Sequence, residues 1–155
     1  MSILHSCLAY KSTTVLDYSQ TIWDPYTSGG VPKIESFQRR AVRYTLNRYH
    51  RTSSVSAMIA QLDWHTLADR RRVARLLMFY KIHYHLITID MPLSPKLHLQ
   101  PTRTENMLAY FIPSSYRDYH RNSFFPRTVW EWNILPQEVI QLSTAESFKN
   151  AVLSM

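Results

Sequence analysis

The residues of this sequence best suited to chemistry are arginines, which form two groups in the middle of the chain. A guanidinium group is planar and pairs bidentately with a phosphate through parallel N–H donors. Arginines along a helix face would therefore follow a polyanionic backbone through charge, without reading base sequence. The predicted nucleic-acid-binding residues are Arg39, Arg40, Arg43, Arg70, Arg71, Arg72 and Arg75.

The distribution of charge favours the same interpretation. The chain carries +7 overall, and residues 31–86 contain eleven Lys and Arg against three Asp and Glu, a local net charge of +8. Such clustering indicates a nucleic acid, RNA or DNA, as a partner of low sequence specificity. Tyr44, Tyr49 and Trp64 lie among the arginines and would stack on unpaired bases. A solvated basic surface, serving solubility alone, is the alternative.

Other reactive side chains form no recognisable site. His83 and His85 are two positions apart, on different sides of a helix, and no cysteine pair or carboxylate completes a tetrahedral set of metal ligands. Cys7 has only His5 nearby in sequence, a spacing that specifies no catalytic geometry. We therefore expect no metal, no cofactor, no small-molecule substrate and no enzymatic activity.

Composition indicates a folded, mostly helical chain. Hydrophobic residues make up 45% and aromatic residues 13%, which excludes a disordered protein, and only two glycines are present for turns. The 155 residues fit a single domain, 1–155. One cysteine excludes an internal disulfide, and no apolar run is long enough to span a bilayer or to form a signal peptide. An intracellular protein, cytoplasmic or nuclear and not secreted, is expected, without membrane contact.

Hydrophobic periodicity predicts about five helices. The first covers residues 3–23 and ends before Asp24 and Pro25, a pair that favours a turn. The second covers residues 32–49, and its apolar positions predict one face that packs and an opposite face that carries Arg39, Arg40 and Arg43. The residues predicted to pack are Ile34, Phe37, Ala41 and Tyr44.

Capping residues define the later helices. Ser54 would cap a short helix that ends at Leu62, and Thr66 with Asp69 would cap a helix over residues 66–86. The arginines in the first turns of this helix lie where its dipole does not favour cations, which again suggests an anionic partner. Residues 88–125 contain four prolines and predict a long irregular connection, with short extended pieces around residues 110–112.

The C-terminal part returns to helix. A short segment over residues 126–133 is followed by a turn at Leu135 and Pro136 and by a last helix over residues 144–153, capped by Ser143 or Thr144. Large aromatic side chains are predicted to be core anchors rather than binding elements. They are Trp23, Phe124, Phe125, Trp130 and Trp132.

The order of these segments resembles the region that follows the polymerase core in LINE-type, non-LTR retrotransposon reverse transcriptases of the jockey-like kind. Residues 16–26 (LDYSQTIWDPY) are similar to the family's LEYASTIWDPY block, and residues 34–44 (IESFQRRAVRY) to its IESIQRRAARF helix. Later blocks agree in order and spacing. They are Leu62-Asp63-Trp64, Arg70-Arg71-Arg72, LMFYKI at 77–82, SFFPRT at 123–128, Trp132-Asn133, Leu135-Pro136 and Ser147-Phe148-Lys149.

This resemblance implies a fragment without the parent enzyme's chemistry. The sequence lacks the aspartate pair with which a polymerase palm holds two magnesium ions, and it lacks the family's endonuclease. It also has Thr13-Thr14-Val15 where the family usually reads Leu-Val-Arg-Pro. By analogy, the region follows the thumb and helps to hold template RNA or target DNA. The alternative is a structural or protein-interaction remnant whose apolar faces pack on the polymerase core of the parent element.

Overall fold

A computed structural model describes residues 24–50, 52–89, 93, 95, 107–112 and 114–155. This part of the chain is mostly helical, as predicted, and its extended structure is one isolated antiparallel bridge between Pro95 and Tyr110. The predicted helix over residues 3–23 lies outside the described residues. The helices, in order, are α1 (Gly30–Leu46), α2 (Val55–Gln61), α3 (Leu67–His83), α4 (Asp118–Arg121), α5 (Phe124–Ile134), α6 (Gln137–Ile140) and α7 (Ala145–Leu153).

The chain forms two compact units, Met1–Arg72 and Val73–Met155, and α3 contributes residues to both. The short helices α4 and α6, of four residues each, were not predicted from the sequence. No helix in the described part of the chain combines the length and the apolar character needed to cross a membrane.

Helix α1 carries the first basic group, and its C-terminus is set by Asn47. This residue adopts the left-handed conformation, with φ at 51°, and its N–H donates to the carbonyl oxygens of Arg43 and Tyr44. Asparagine tolerates this conformation better than most side chains, so it ends helices in the role often taken by glycine. The helix therefore ends at Leu46, three residues before the predicted boundary.

The buried face of α1 differs from the prediction. Gln38, Val42 and Thr45 are buried, whereas Phe37 and Tyr44, predicted to pack, are 54% and 44% exposed. The Gln38 amide donates to the His65 carbonyl at 2.8 Å and accepts the Leu67 N–H at 3.1 Å. Because both halves of the amide are hydrogen-bonded, its burial costs little. Gln38 thus holds the start of α3, and the aromatic side chains of α1 turn outward.

The predicted helix caps are confirmed. Thr66 accepts the Asp69 N–H at 3.1 Å and donates to the Asp69 carboxylate at 2.6 Å, which satisfies a donor in the first turn of α3. Ser54 accepts the Ala57 N–H, and Thr144 accepts the Ser147 N–H. The caps at Thr66, Ser54 and Thr144 therefore place the starts of α3, α2 and α7 where the sequence predicts them.

Aromatic side chains form the core of the second unit. Phe79 meets Trp132 edge-on with ring centroids 4.9 Å apart, and Tyr80 stacks on Phe148 at 4.5 Å. The predicted core position of Trp132 is confirmed, and Phe124 and Phe125 are half-buried. The core position predicted for Trp130 is wrong: its side chain is 58% exposed, because residues two apart on a helix face about 200° away from each other. Trp23 lies outside the described residues.

The irregular connection is held against α5 by side-chain hydrogen bonds. The Trp132 indole N–H donates to the Leu108 carbonyl at 3.0 Å. The Asn133 amide donates to the Tyr110 carbonyl at 2.8 Å and accepts the Tyr110 N–H at 3.0 Å. The Asn133 side chain therefore pairs with the backbone of Tyr110 as a neighbouring strand would, which fixes the segment 107–112.

The stability of the second unit should fall in mild acid because of His83. Its Nδ1 atom lies 2.7 Å from the Tyr110 hydroxyl, and burial, with a smaller contribution from His85, lowers the pKa of His83 below its ordinary 6.5. The unfolded chain therefore takes up a proton at this position more readily than the folded chain. The stability contributed by neutral His83 is complete above about pH 6.5 and is lost as the pH falls further.

The measurement is chemical denaturation at several pH values between 7.5 and 5.5, about one unit either side of the ordinary histidine pKa. We expect the wild-type protein to lose more stability across this interval than the His83→Gln variant. The exposed His50 supplies a matched control, since His50→Gln should keep the wild-type slope. Equal slopes for wild type and His83→Gln would contradict the prediction.

Candidate nucleic-acid interface

The outward face of α1 combines basic and aromatic side chains. Lys33, Phe37, Arg40 and Tyr44, spaced by four, three and four residues, are all exposed. On a helical wheel they fall within about 60° of one another, on the side away from the buried Gln38, Val42 and Thr45. We call these four residues the α1 stripe.

Two members of the α1 stripe lie side by side. The Arg40 guanidinium carbon is 6.0 Å from the centroid of the Phe37 ring, at the limit of a cation–π contact. A nearby aromatic ring restricts the guanidinium while leaving its N–H groups accessible. The pair therefore offers a phosphate-binding fork and a flat apolar surface within a few ångströms of each other.

The other predicted residues of α1 flank the stripe. Arg39 is exposed and Arg43 half-buried, and both lie within about 100° of Arg40 on the wheel. Arg48, just beyond α1, donates to the Gln61 side chain at 3.1 Å, so this cation has an ordered position beside α2. Tyr49 is 60% exposed, as required for stacking, whereas Trp64 is half-buried.

Arg71 was predicted to lie on an exposed face, and this placement is wrong. The residue is 4% exposed, with its Nε atom 3.0 Å from Asp24 Oδ1 and its Nη2 atom 3.3 Å from Glu35 Oε1. The Asp24 side chain is itself only 9% exposed. Arg71 therefore neutralises two carboxylates inside the first unit and presents no guanidinium group to a ligand.

Arg75 was also predicted to be exposed, and this placement is wrong because the residue is buried in an ion pair. It is 3% exposed, and its Nη2 atom lies 2.7 Å from Glu131 Oε1. Burial lowers the pKa of Arg75 from its ordinary value; the charge of Glu131 opposes this shift, and the charge of Arg127 adds to it. Arg75 is a structural cation of the second unit rather than a surface group.

Arg70 and Arg72 are half-buried. Consecutive helical residues point about 100° apart, so Arg70, Arg71 and Arg72 cannot lie on one face. The spacing of four between Arg71 and Arg75 places those two on a common side, which here is the buried one. The seven predicted arginines thus separate into three groups. Arg39 and Arg40 are exposed on α1, Arg71 and Arg75 are buried ion-pair partners, and Arg43, Arg70 and Arg72 are half-buried.

Sequence reasoning missed Lys33 and Phe37 as surface residues of α1. The spacing of Lys33, Phe37, Arg40 and Tyr44 is as helical as that of the predicted packing face, so the signal was present. Apolar periodicity does not identify this face as the outer one, because two of the residues buried on the opposite side, Gln38 and Thr45, are polar. Gln38, four positions before the buried Val42, can itself be buried because the start of α3 supplies hydrogen-bond partners for its amide.

Within the part of the chain that the structure describes, no three His, Cys, Asp or Glu side chains come together in a way that would hold a metal ion. The comparisons with protein-family models, curated proteins and solved structures returned no match to this chain. The outward face of α1 therefore has to be interpreted from its own chemistry.

Proposed function

We propose that this chain is the C-terminal segment of a non-LTR retrotransposon reverse transcriptase, without a catalytic centre of its own, and that it binds single-stranded nucleic acid through the backbone. The observation that carries the binding proposal is the α1 stripe. Cations and aromatic rings alternate along it, and these are the two groups that unpaired strands require.

The charges of the first unit support a polyanion as the ligand. Arg71 is occupied by Asp24 and Glu35, so the acidic residues nearest to α1 do not neutralise its outward cations. Lys33, Arg39 and Arg40 remain exposed. Phosphates that pair with these cations release counterions, and this gain makes binding strongly dependent on salt.

The resemblance to the retrotransposon family agrees with the pattern of contacts. Asp24, Glu35 and Arg71 come from three of the blocks that resemble the family, and they meet in one buried ion cluster. Gln38, from the second block, holds the start of α3. These four residues hold the first unit together. Arg39 and Arg40 of the second block are exposed instead, and the packing of the unit does not depend on them.

A protein-interaction role is the rival proposal, because Phe37, Tyr44 and Tyr49 are exposed apolar rings. An apolar protein interface normally has few charged residues at its centre. The α1 stripe instead places Arg40 between Phe37 and Tyr44. This alternation favours a nucleic-acid strand over an apolar face of a polymerase core.

Binding should weaken sharply when the exposed arginines of α1 are removed. We expect Arg39→Ala with Arg40→Ala to weaken binding of an oligouridine at low salt by about tenfold or more. The slope of log affinity against log salt should become shallower by about 0.7 for each phosphate that the variant no longer neutralises. Fluorescence anisotropy of a labelled strand, titrated at several salt concentrations, measures both quantities.

The matched control removes the same net charge elsewhere. Arg117 is exposed and Lys149 is 41% exposed on its side chain, so the pair Arg117→Ala with Lys149→Ala should keep the wild-type affinity and slope. Phe37→Ala should weaken binding of the single strand more than binding of a DNA duplex, whose bases are already stacked. Equal reductions in affinity for the two double variants, or no binding by wild type at low salt, would refute the proposal.

A further inference from the structure

The chain just beyond the α1 stripe is also basic and aromatic. Arg48 and Tyr49 follow the left-handed Asn47, and both are exposed, Tyr49 at 60%. The Arg48 N–H donates to the Arg43 carbonyl oxygen at 3.0 Å. The Asn47 N–H donates to the Tyr44 carbonyl oxygen at 3.3 Å. These two hydrogen bonds close α1 in a Schellman motif, so the backbone of Arg48 is fixed beside the last turn of the helix.

The Arg48 side chain is ordered by a neutral partner. Its Nη1 atom donates to Oε1 of Gln61, the last residue of α2, at 3.1 Å. An amide oxygen accepts an N–H of the guanidinium and brings no negative charge to it. Arg71 differs, because its partners are two carboxylates. Arg48 therefore has a restricted direction, while its charge is exposed to a phosphate and is not neutralised by Gln61.

Cations and aromatic rings alternate from the first turn of α1 to the residues beyond its end. The helix rises about 1.5 Å per residue, so Lys33 and Leu46 are about 20 Å apart along its axis. A strand with stacked bases advances about 3.4 Å per nucleotide, and about six nucleotides therefore cover this length. The alternating residues are Lys33, Phe37, Arg40, Tyr44, Arg48 and Tyr49.

We infer that the strand site continues past the end of α1 to Arg48 and Tyr49, and that Gln61 positions the Arg48 guanidinium for a phosphate. This longer site rests on the proposed function and sets the length of its ligand, an unpaired strand of about six nucleotides. The rival is a structural role, since a helix dipole favours a cation at its C-terminus and the bond to Gln61 ties α1 to α2. A structural role would make the stability of the first unit, and not the affinity for a strand, depend on these residues.

The length of the strand tests the longer site. Fluorescence anisotropy of the full chain with oligouridines of three, six and nine nucleotides should show a steep gain in affinity from three to six and a small gain from six to nine. Arg48→Ala with Tyr49→Ala should weaken binding of the six-nucleotide strand about tenfold or more. The same double variant should change binding of the three-nucleotide strand by less than about threefold, because that strand fits on the α1 stripe alone.

Gln61→Glu tests the positioning residue. This substitution keeps the shape of the side chain but places a carboxylate on Arg48, so it should weaken binding of the six-nucleotide strand about fivefold and make its salt dependence shallower. The matched control is Gln141→Glu, which adds the same charge at an exposed residue of the second unit and should leave the affinity unchanged. In an Arg48→Ala background, Gln61→Glu should have a smaller effect, because the carboxylate acts through Arg48.

All these variants should keep the thermal midpoint of the wild type, because the replaced side chains are exposed. A lower midpoint for Arg48→Ala with unchanged affinity would overturn the inference in favour of the structural role. Equal affinities of the wild type and the Arg48 and Tyr49 double variant for the six-nucleotide strand would also overturn it, and if Arg39→Ala with Arg40→Ala still weakens binding, the proposed function stands without it. A wild type that binds no strand at low salt refutes the proposed function and the longer site together.

Discussion

Arg71→Met should reduce the free energy of unfolding by about 3–5 kcal/mol, because it removes the buried cation that pairs with both Asp24 and Glu35. Methionine keeps the length of the side chain and favours helix, so the effect isolates the charge. Asp24 is 9% exposed and Glu35 19% exposed on their side chains, so water can only partly solvate the pair that remains.

Urea denaturation followed by far-ultraviolet circular dichroism measures this reduction. Arg40→Met is the matched control, since this arginine is exposed and its replacement should change stability by less than about 0.5 kcal/mol. Adding Asp24→Asn and Glu35→Gln to Arg71→Met should recover part of the stability, because the repulsion between the carboxylates disappears. A midpoint for Arg71→Met equal to that of wild type would show that the ion cluster does not stabilise the first unit.

The same result bears on the nucleic-acid proposal. If Arg71 contributed to a binding surface, its replacement would weaken binding of a nucleic-acid strand as much as the loss of any other exposed charge does, and it would not reduce the free energy of unfolding. The structure predicts that each variant changes a different quantity. Arg71→Met should lower the free energy of unfolding, and Arg40→Met should lower the affinity for a nucleic-acid strand. Comparing the two variants in both assays distinguishes structural arginines from ligand-binding arginines within the same basic segment.

Features that depend on neighbours in sequence were predicted well. The caps at Ser54, Thr66 and Thr144 need only a side-chain oxygen and an N–H two or three residues later, and each formed where it was predicted. The mostly helical fold followed from composition and from the long apolar periods. Local hydrogen bonding and periodicity are properties of a single segment, so they can be deduced from the sequence.

Features that depend on distant partners were not predicted. Gln38 and Arg71 are polar, and their burial becomes favourable only because His65, Leu67, Asp24 and Glu35 come to them in the fold. Apolar periodicity alone therefore predicts burial of Phe37 and Tyr44, which are exposed, and the charge of Arg71 and Arg75 predicts exposure, whereas both are buried. An apolar residue can be assigned to a core from its own chemistry, whereas a buried polar residue requires knowledge of its partner.

Asn133→Leu should destabilise the second unit by about 2–5 kcal/mol, because it removes both partners of the Tyr110 backbone. Tyr110 is 6% exposed, so its N–H and C=O would be deprived of their hydrogen bonds without gaining water, at a cost of about 1–3 kcal/mol each. Leucine is larger than asparagine, so the substitution opens no cavity. The exposed Asn150 provides a control on α7, where Asn150→Leu should change stability by less than about 0.5 kcal/mol.

Hydrogen exchange at the Tyr110 amide locates the effect. In the wild type this N–H is bonded to Asn133 and should exchange slowly, and in Asn133→Leu it should exchange much faster relative to the core amides of α5. Asn133→Asp is a sharper test, since it keeps the acceptor for the Tyr110 N–H but places an oxygen where the amide nitrogen lies 2.8 Å from the Tyr110 carbonyl. Two oxygens that close repel, and the new carboxyl can bond to the carbonyl only when it is protonated.

The stability gap between wild type and Asn133→Asp should therefore narrow as the pH falls, because burial and the facing carbonyl raise the pKa of the introduced carboxyl in the folded state. A raised folded pKa means that the group stabilises the fold at low pH and destabilises it as the pH increases. A gap that stays constant with pH would mean that the amide of Asn133 is not bonded to the Tyr110 carbonyl.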